Sequence, residues 1–210
     1  MTATLGRMAV PEEVLFAFPA SLERLPKVKR CRSTLLSSSL NAIRDRELLE
    51  RYLKSLPTQY HETVLSTVAG VWLPIEVAMA HYRAMDALGL AVSEQVQIGR
   101  LVSDKFQGTV LGTLVKLATV AGATPWIPIG QFQRFWERLM DGGGSSAVKV
   151  GPKEARLELA GLSLFTVPYF RVAFRGVVAG ACDLFTSKTY VYEIPRPTMD
   201  SNAAYRIAWV

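Results

Sequence analysis

Apolar and polar positions change their spacing late in this chain, and the change sets its architecture. From Asn41 the apolar residues return every three or four positions: Ile43, Leu48, Leu49, Tyr52 and Leu53 mark a helix that Pro57 closes. A second helix is predicted over 59–68. Trp72 and Pro74 open a third, with Ile75, Met79, Tyr82 and Leu88 as its stripe and Gly89 as its stop. Ser93 and Glu94 begin a fourth, through Ile98, Leu101, Val102 and Phe106, and a further helix carries Val110, Leu111, Leu114, Val115 and Leu117. Pro125 and Pro128 force a loop around Trp126, and Phe132, Phe135, Trp136 and Leu139 then give an amphipathic helix over Gln131–Met140.

Beyond Gly142, Gly143 and Gly144 the period falls to two. Residues 147–150 and 155–160 alternate around Gly151 and Pro152, the signature of a short hairpin. A helix over Pro168–Leu184 follows. Tyr190, Tyr192 and Ile194 then alternate with Val191 and Glu193, and Tyr205, Ile207 and Trp209 with Arg206 and Ala208, as strands do. The fold class predicted is α+β: an N-terminal helical bundle packed on a small antiparallel sheet, with a crossing helix and a C-terminal β-hairpin. In the crossing helix, Gly176 and Gly180 lie four apart beside Ala173 and Ala179. Such a low-bulk face suits close approach to a sheet, or a homodimer interface.

Of the 210 residues 50% are hydrophobic, and the mean hydropathy is +0.19 with 20% charged. That balance implies a deep core, an apolar pocket or an oligomer interface. Residues 1–38, punctuated by Pro11, Pro19 and Pro26 and ending in a serine run, read as an arm in which Val14–Phe18 form a short edge strand, and 39–210 as one domain. The formal charge is +6, yet the only dense cluster is Lys27, Lys29, Arg30 and Arg32, which reads as a solvated basic arm. With no helix-turn-helix and no stacking platform, no nucleic acid is expected. The apolar run Val110–Gly130 contains Lys116, Pro125 and Pro128, so no membrane span is expected. Residues 1–10 lack the features of a secretory signal, and two cysteines, Cys31 and Cys182, make no disulfide framework, so the expected compartment is the cytoplasm.

Candidate chemistry is sparse. There is no Gly-x-Ser-x-Gly elbow, and Gly142–Ser146 precedes no phosphate-binding lysine. Glu154 and Glu158 share a strand face without making a catalytic pair, and the only histidines are His61 and His81. No acid, base and nucleophile converge, so no enzyme and no metal site are expected. Large aromatics fall instead at element boundaries. Trp72, Trp126, Phe132, Trp136, Tyr169, Phe170 and Phe174, with His81 on a core-facing helix, are the candidate ligand-binding residues of a pocket between helices and sheet.

The order of elements, with Tyr169-Phe170, the Gly176-Val177-Val178-Ala179-Gly180 helix, Glu193 and the Tyr205–Trp209 strand, resembles a known superfamily. It joins haem-nitric-oxide-binding domains, four-vinyl-reductase-type sensor domains and TRAPP-type trafficking subunits. The chain is most similar in character to a paralogous family of uncharacterised myxobacterial proteins. The resemblance implies a bacterial sensor or scaffold, often homodimeric, that holds an apolar molecule between helices and sheet. The alternative is a protein-interaction module with a solid core. Haem-binding relatives use an axial His and a Tyr-x-Ser-x-Arg motif; the motif is absent here, so no haem cofactor is expected. Zinc-binding relatives place cysteines near the position of Glu193, where this chain has none.

Overall fold

The computed structural model describes residues 12–106, 124–195 and 201–210. The helix expected over Val110–Leu117 therefore lies outside the described residues. The chain opens with β1 (Glu13–Phe16) and β2 (Arg30–Arg32), then α1 (Thr34–Arg44), α2 (Leu49–Ser55) and α3 (His61–Leu65). Next come β3 (Trp72–Pro74), α4 (Ile75–Asp86), α5 (Val92–Phe106), α6 (Trp126–Gly130) and α7 (Phe132–Leu139). The last part comprises β4 (Met140–Asp141), β5 (Gly144–Gly151), β6 (Glu154–Ala160), α8 (Pro168–Cys182), β7 (Thr189–Glu193) and β8 (Ala203–Trp209). This is the α+β class expected.

The five-stranded sheet runs β1-β5-β6-β8-β7 with every neighbour antiparallel. Register follows from the alternation. Ala155, Leu157 and Leu159 of β6 stand opposite Ile207, Tyr205 and Ala203 of β8, all buried, while Arg156 opposes Arg206 on the outer face. Those two guanidiniums would repel across the strands. Glu154 takes Arg206 through a fork whose second arm is 2.8 Å long, and Glu12 takes Arg156 at 2.6 and 2.9 Å, so each has its own carboxylate. In β7 it is Val191 that faces the core, whereas Tyr190 and Tyr192 are exposed.

The described part of the expected arm, residues 12–38, is built into the two sheets and the first helix. β1 pairs with β5 at the sheet edge, and β2 is the central strand of a second, three-stranded sheet, β3-β2-β4. Cys31 in β2 is 0% exposed, and α1 starts at Thr34, so a boundary at residue 38 would cut a helix. The helix expected from Asn41 to Pro57 is two, α1 and α2, joined by a turn in which Glu47 has a φ of 59°.

α8 begins with Pro168, whose fixed φ suits a first helical position, and it is buried on two sides. Its aromatic side lies on the sheet: Phe174 sits 5.7 Å from Tyr205 between ring centres. Its glycine side does not meet the sheet, as the sequence suggested, nor is it free for a second copy. It is filled by α5, at Gly99, Arg100 and Ser103. The homodimer face assigned to Gly176 and Gly180 is thus an interior contact, closed at its end by the Arg100–Asp183 ion pair.

Candidate functional site

His81 is the one histidine placed in the core. It comes from the inner face of α4, with α1 and α2 on either side, and is 0% exposed. Its Nε2 lies 2.7 Å from Ser39 Oγ and its Nδ1 2.7 Å from Tyr52 Oη. The proton positions follow from counting donors. Ser39 Oγ also sits 2.9 Å from the Leu36 carbonyl, which only accepts, so the single hydroxyl hydrogen goes there. Ser39 then accepts from Nε2–H, which leaves Nδ1 to accept from the Tyr52 hydroxyl. Every atom of the chain Tyr52–His81–Ser39–Leu36 is satisfied with the imidazole neutral. Burial holds it so, lowering the His81 pKa to about 3.

From His81 a file of rings crosses to the sheet. His81 meets Tyr82 at 4.8 Å, Tyr82 meets Phe170 at 4.7 Å, Phe170 meets Phe174 at 5.7 Å, and Phe174 meets Tyr205. Tyr169 stacks on Tyr82 at 6.3 Å. These rings fill the helix–sheet interface rather than line an open pocket. The space left among Leu35, Ser39, Tyr82, Ile98, Tyr169 and Phe174 is ≈ 20 Å³, room for about one water. The Tyr169 hydroxyl, buried beside it, has no hydrogen-bond partner among the described residues.

A larger cavity of ≈ 280 Å³ lies between α7, α8 and the inner face of the sheet. Phe132, Phe135, Ile129, Leu157, Val178 and Ile207 make its apolar wall, with Arg134 and Arg138 at the rim. Cys182 is also there, its thiol pushed up to about 12 by burial and the neighbouring Asp183.

The candidate residues read from the sequence thus divide five ways. His81, Tyr169, Phe170 and Phe174 belong to the closed core, and Phe132 to the cavity wall. Trp136 is a buried structural residue whose indole N–H donates to the Gly142 carbonyl at 2.9 Å. Trp126 packs edge-on against Trp209 at 4.6 Å, under Lys149. Trp72 sits on the three-stranded sheet between Arg30 and Arg32, away from either space. Ser39 and Tyr52, which fix His81, were not singled out by the sequence. Ser39 lies in a run that reads as loop, and Tyr52 in a stripe that reads as packing.

No protein-family model matches this chain, and no curated protein matches it. Solved structures do. An H-NOX protein from K. algicida in the Fe(II) unliganded state matches with a TM-score of 0.63 at 8% identity, over 85% of this chain and 96% of that one. An H-NOX from T. Tengcongensis matches with a TM-score of 0.57 at 14% identity, over 84% and 96%. An oxygen-binding H-NOX domain related to soluble guanylate cyclases gives 0.55 at 14% identity, over 84% and 94%. Other matched chains are described by their haem distortion and haem redox potential. These findings correct two expectations. The expectation of a non-haem apolar ligand or a ligand-free scaffold ahead of haem, and of no haem cofactor, does not stand: the solved chains that share this architecture are H-NOX proteins described by their haem. The resemblance, by contrast, holds at the level of the fold: this chain has the fold of the H-NOX domains.

Proposed function

We propose that the chain is a sensor domain in which occupancy of the interior is reported by the seating of α5 on α8, and that haem is the ligand class to which the shared fold points. The α5–α8 contact supports this reading. It joins the helical half to the sheet half with backbone against backbone: a Cβ on Gly99 would lie 1.8 Å from the Ala173 carbonyl oxygen. Surfaces so close do not deform by degrees, so a group that enters beside α5 displaces it as a body.

The described side chains do not by themselves form a haem site. An axial ligand needs a donor atom to spare. Both nitrogens of His81 are engaged, the adjoining space is ≈ 20 Å³, and the Cys182 thiol is held protonated. Among the described residues, the Tyr169 hydroxyl beside this space is an unpaired polar atom left for an incoming partner.

Uptake therefore has to open the core, and this fixes the test. Purified full-length chain is titrated with haem, with absorbance read in the Soret region and amide hydrogen exchange read across α5 and α8. The expected result is a Soret band that saturates, accompanied by changed protection in both helices. A folded chain with no Soret band and unchanged protection would overturn haem sensing.

A further inference from the structure

We propose that the outer face of the three-stranded sheet, with the loop that enters β3, is a docking surface for an acidic protein segment carrying apolar side chains. The proposal does not depend on which ligand the core takes. Charge is the first ground. Lys27, Lys29, Arg30 and Arg32 are gathered here, and among the described residues only Arg30 has a carboxylate, Asp141 at 2.7 Å. On the five-stranded sheet the arginines of β6 and β8 are each matched by a glutamate. The small sheet keeps an unmatched positive field, which favours a negative partner.

The second ground is exposed apolar surface at the same place. Leu65, Val68 and Val71 are 37%, 66% and 41% exposed, within seven residues of one another and leading into Trp72. Their exposure is not looseness. Ser33 donates its N–H to the Val71 carbonyl at 2.8 Å and its hydroxyl to the Val68 carbonyl at 2.7 Å, and Arg32 Nη1 reaches the Gly70 carbonyl at 2.8 Å. The loop is pinned while its aliphatic side chains face outward. Trp72, half-buried, is fixed by the guanidinium of Arg32 at 4.1 Å and that of Arg30 at 5.7 Å from its ring centre. Tryptophan and arginine held rigid beside aliphatic side chains are the materials of an interface hot spot.

A second copy of this chain is a poor occupant, because it would bring a charge of +6 against the same sign. Guanidiniums fixed by carbonyls and an indole favour carboxylates at set positions over the diffuse charge of a lipid surface. The test uses three probes on the full-length chain: a fluorescent peptide of alternating Glu and Leu, a Lys/Leu peptide of equal length, and phosphatidylserine-containing vesicles. Fluorescence anisotropy is expected to show saturable binding of the Glu/Leu peptide, weakened by salt. It should weaken about tenfold in the Lys27→Glu, Lys29→Glu double variant and in Trp72→Ala, with no binding of the Lys/Leu peptide. Should the charge reversal disturb folding, Lys27→Gln with Lys29→Gln gives a smaller loss in the same direction. The proposal is overturned if the Glu/Leu peptide does not bind, if it binds the variants as tightly, or if only vesicles bind.

Discussion

Gly99→Ala is expected to destabilise the chain by about 3 kcal/mol and to lower Tm by roughly 10 °C, although it adds one methyl group and a better helix former. Intrinsic propensity alone predicts the opposite, a gain of about 1 kcal/mol for replacing a mid-helix glycine by alanine. Packing decides against it. The new Cβ would stand 1.8 Å from the Ala173 carbonyl oxygen and 3.0 Å from Gly176 Cα, and both are backbone atoms that no rotamer change can move. Gly176→Ala meets the same obstacle from the other helix, with its Cβ 2.0 Å from the Val96 carbonyl oxygen and 2.9 Å from the Arg100 nitrogen. At Gly180 the nearest atoms are Ser103 Cβ at 2.8 Å and Oγ at 3.0 Å; the hydroxyl can turn away, and the Cβ overlap is far smaller than those with the backbone oxygens at Gly99 and Gly176. The order of damage in urea or thermal unfolding should therefore be Gly99 and Gly176 well above Gly180. Gly130→Ala, with nothing within 4 Å of its Cβ, should be close to neutral. Equal losses at all four sites would show that the glycines matter only as flexible residues, and the close α5–α8 contact would lose its meaning.

The notch on α8 was visible in the sequence, but its partner was not. Two glycines four residues apart announce a close approach without saying what approaches, and Gly99 stands alone in a segment with ordinary helical spacing. The period of the apolar positions gave α4, α5, α7, β5, β6, α8 and the final hairpin, because each is long enough to show at least two turns or two alternations. The short elements stayed hidden for the converse reason. β2 has three residues, and its buried Cys31 sits between two arginines, so an interior strand reads as a basic arm. The aromatic candidates spread over several places because a large ring at an element boundary serves equally as core, cavity wall or surface platform. The polar half of the core was the least legible. Ser39 and Tyr52 reach His81 from 42 and 29 residues away, and no local pattern marks such a meeting.

Between about pH 6.5 and pH 3 this buried histidine should make the chain lose stability as acid is added. The sign follows from where the proton prefers to be. Burial lowers the His81 pKa to about 3 from its ordinary 6.5, so within this window the unfolded chain binds a proton that the folded chain refuses. Unfolding is then favoured by falling pH, with a slope of about 1.4 kcal/mol per pH unit from this one group, and above the ordinary value the effect vanishes. Carboxylates add slopes of their own, so the quantity to measure is a difference. Urea unfolding of the wild-type chain and of His81→Gln, followed across the window, should give a steeper acid dependence for the wild type. Tyr52→Phe separates the titration from the hydrogen bond. It strips Nδ1 of its donor and should cost about 1–3 kcal/mol at neutral pH, yet it leaves the ring buried and hence the slope intact. If wild type and His81→Gln lose stability in parallel, the imidazole is not confined to its neutral form. The hydrogen-bond chain that closes the core would then be wrongly assigned, and the need for an incoming ligand to break it would go too.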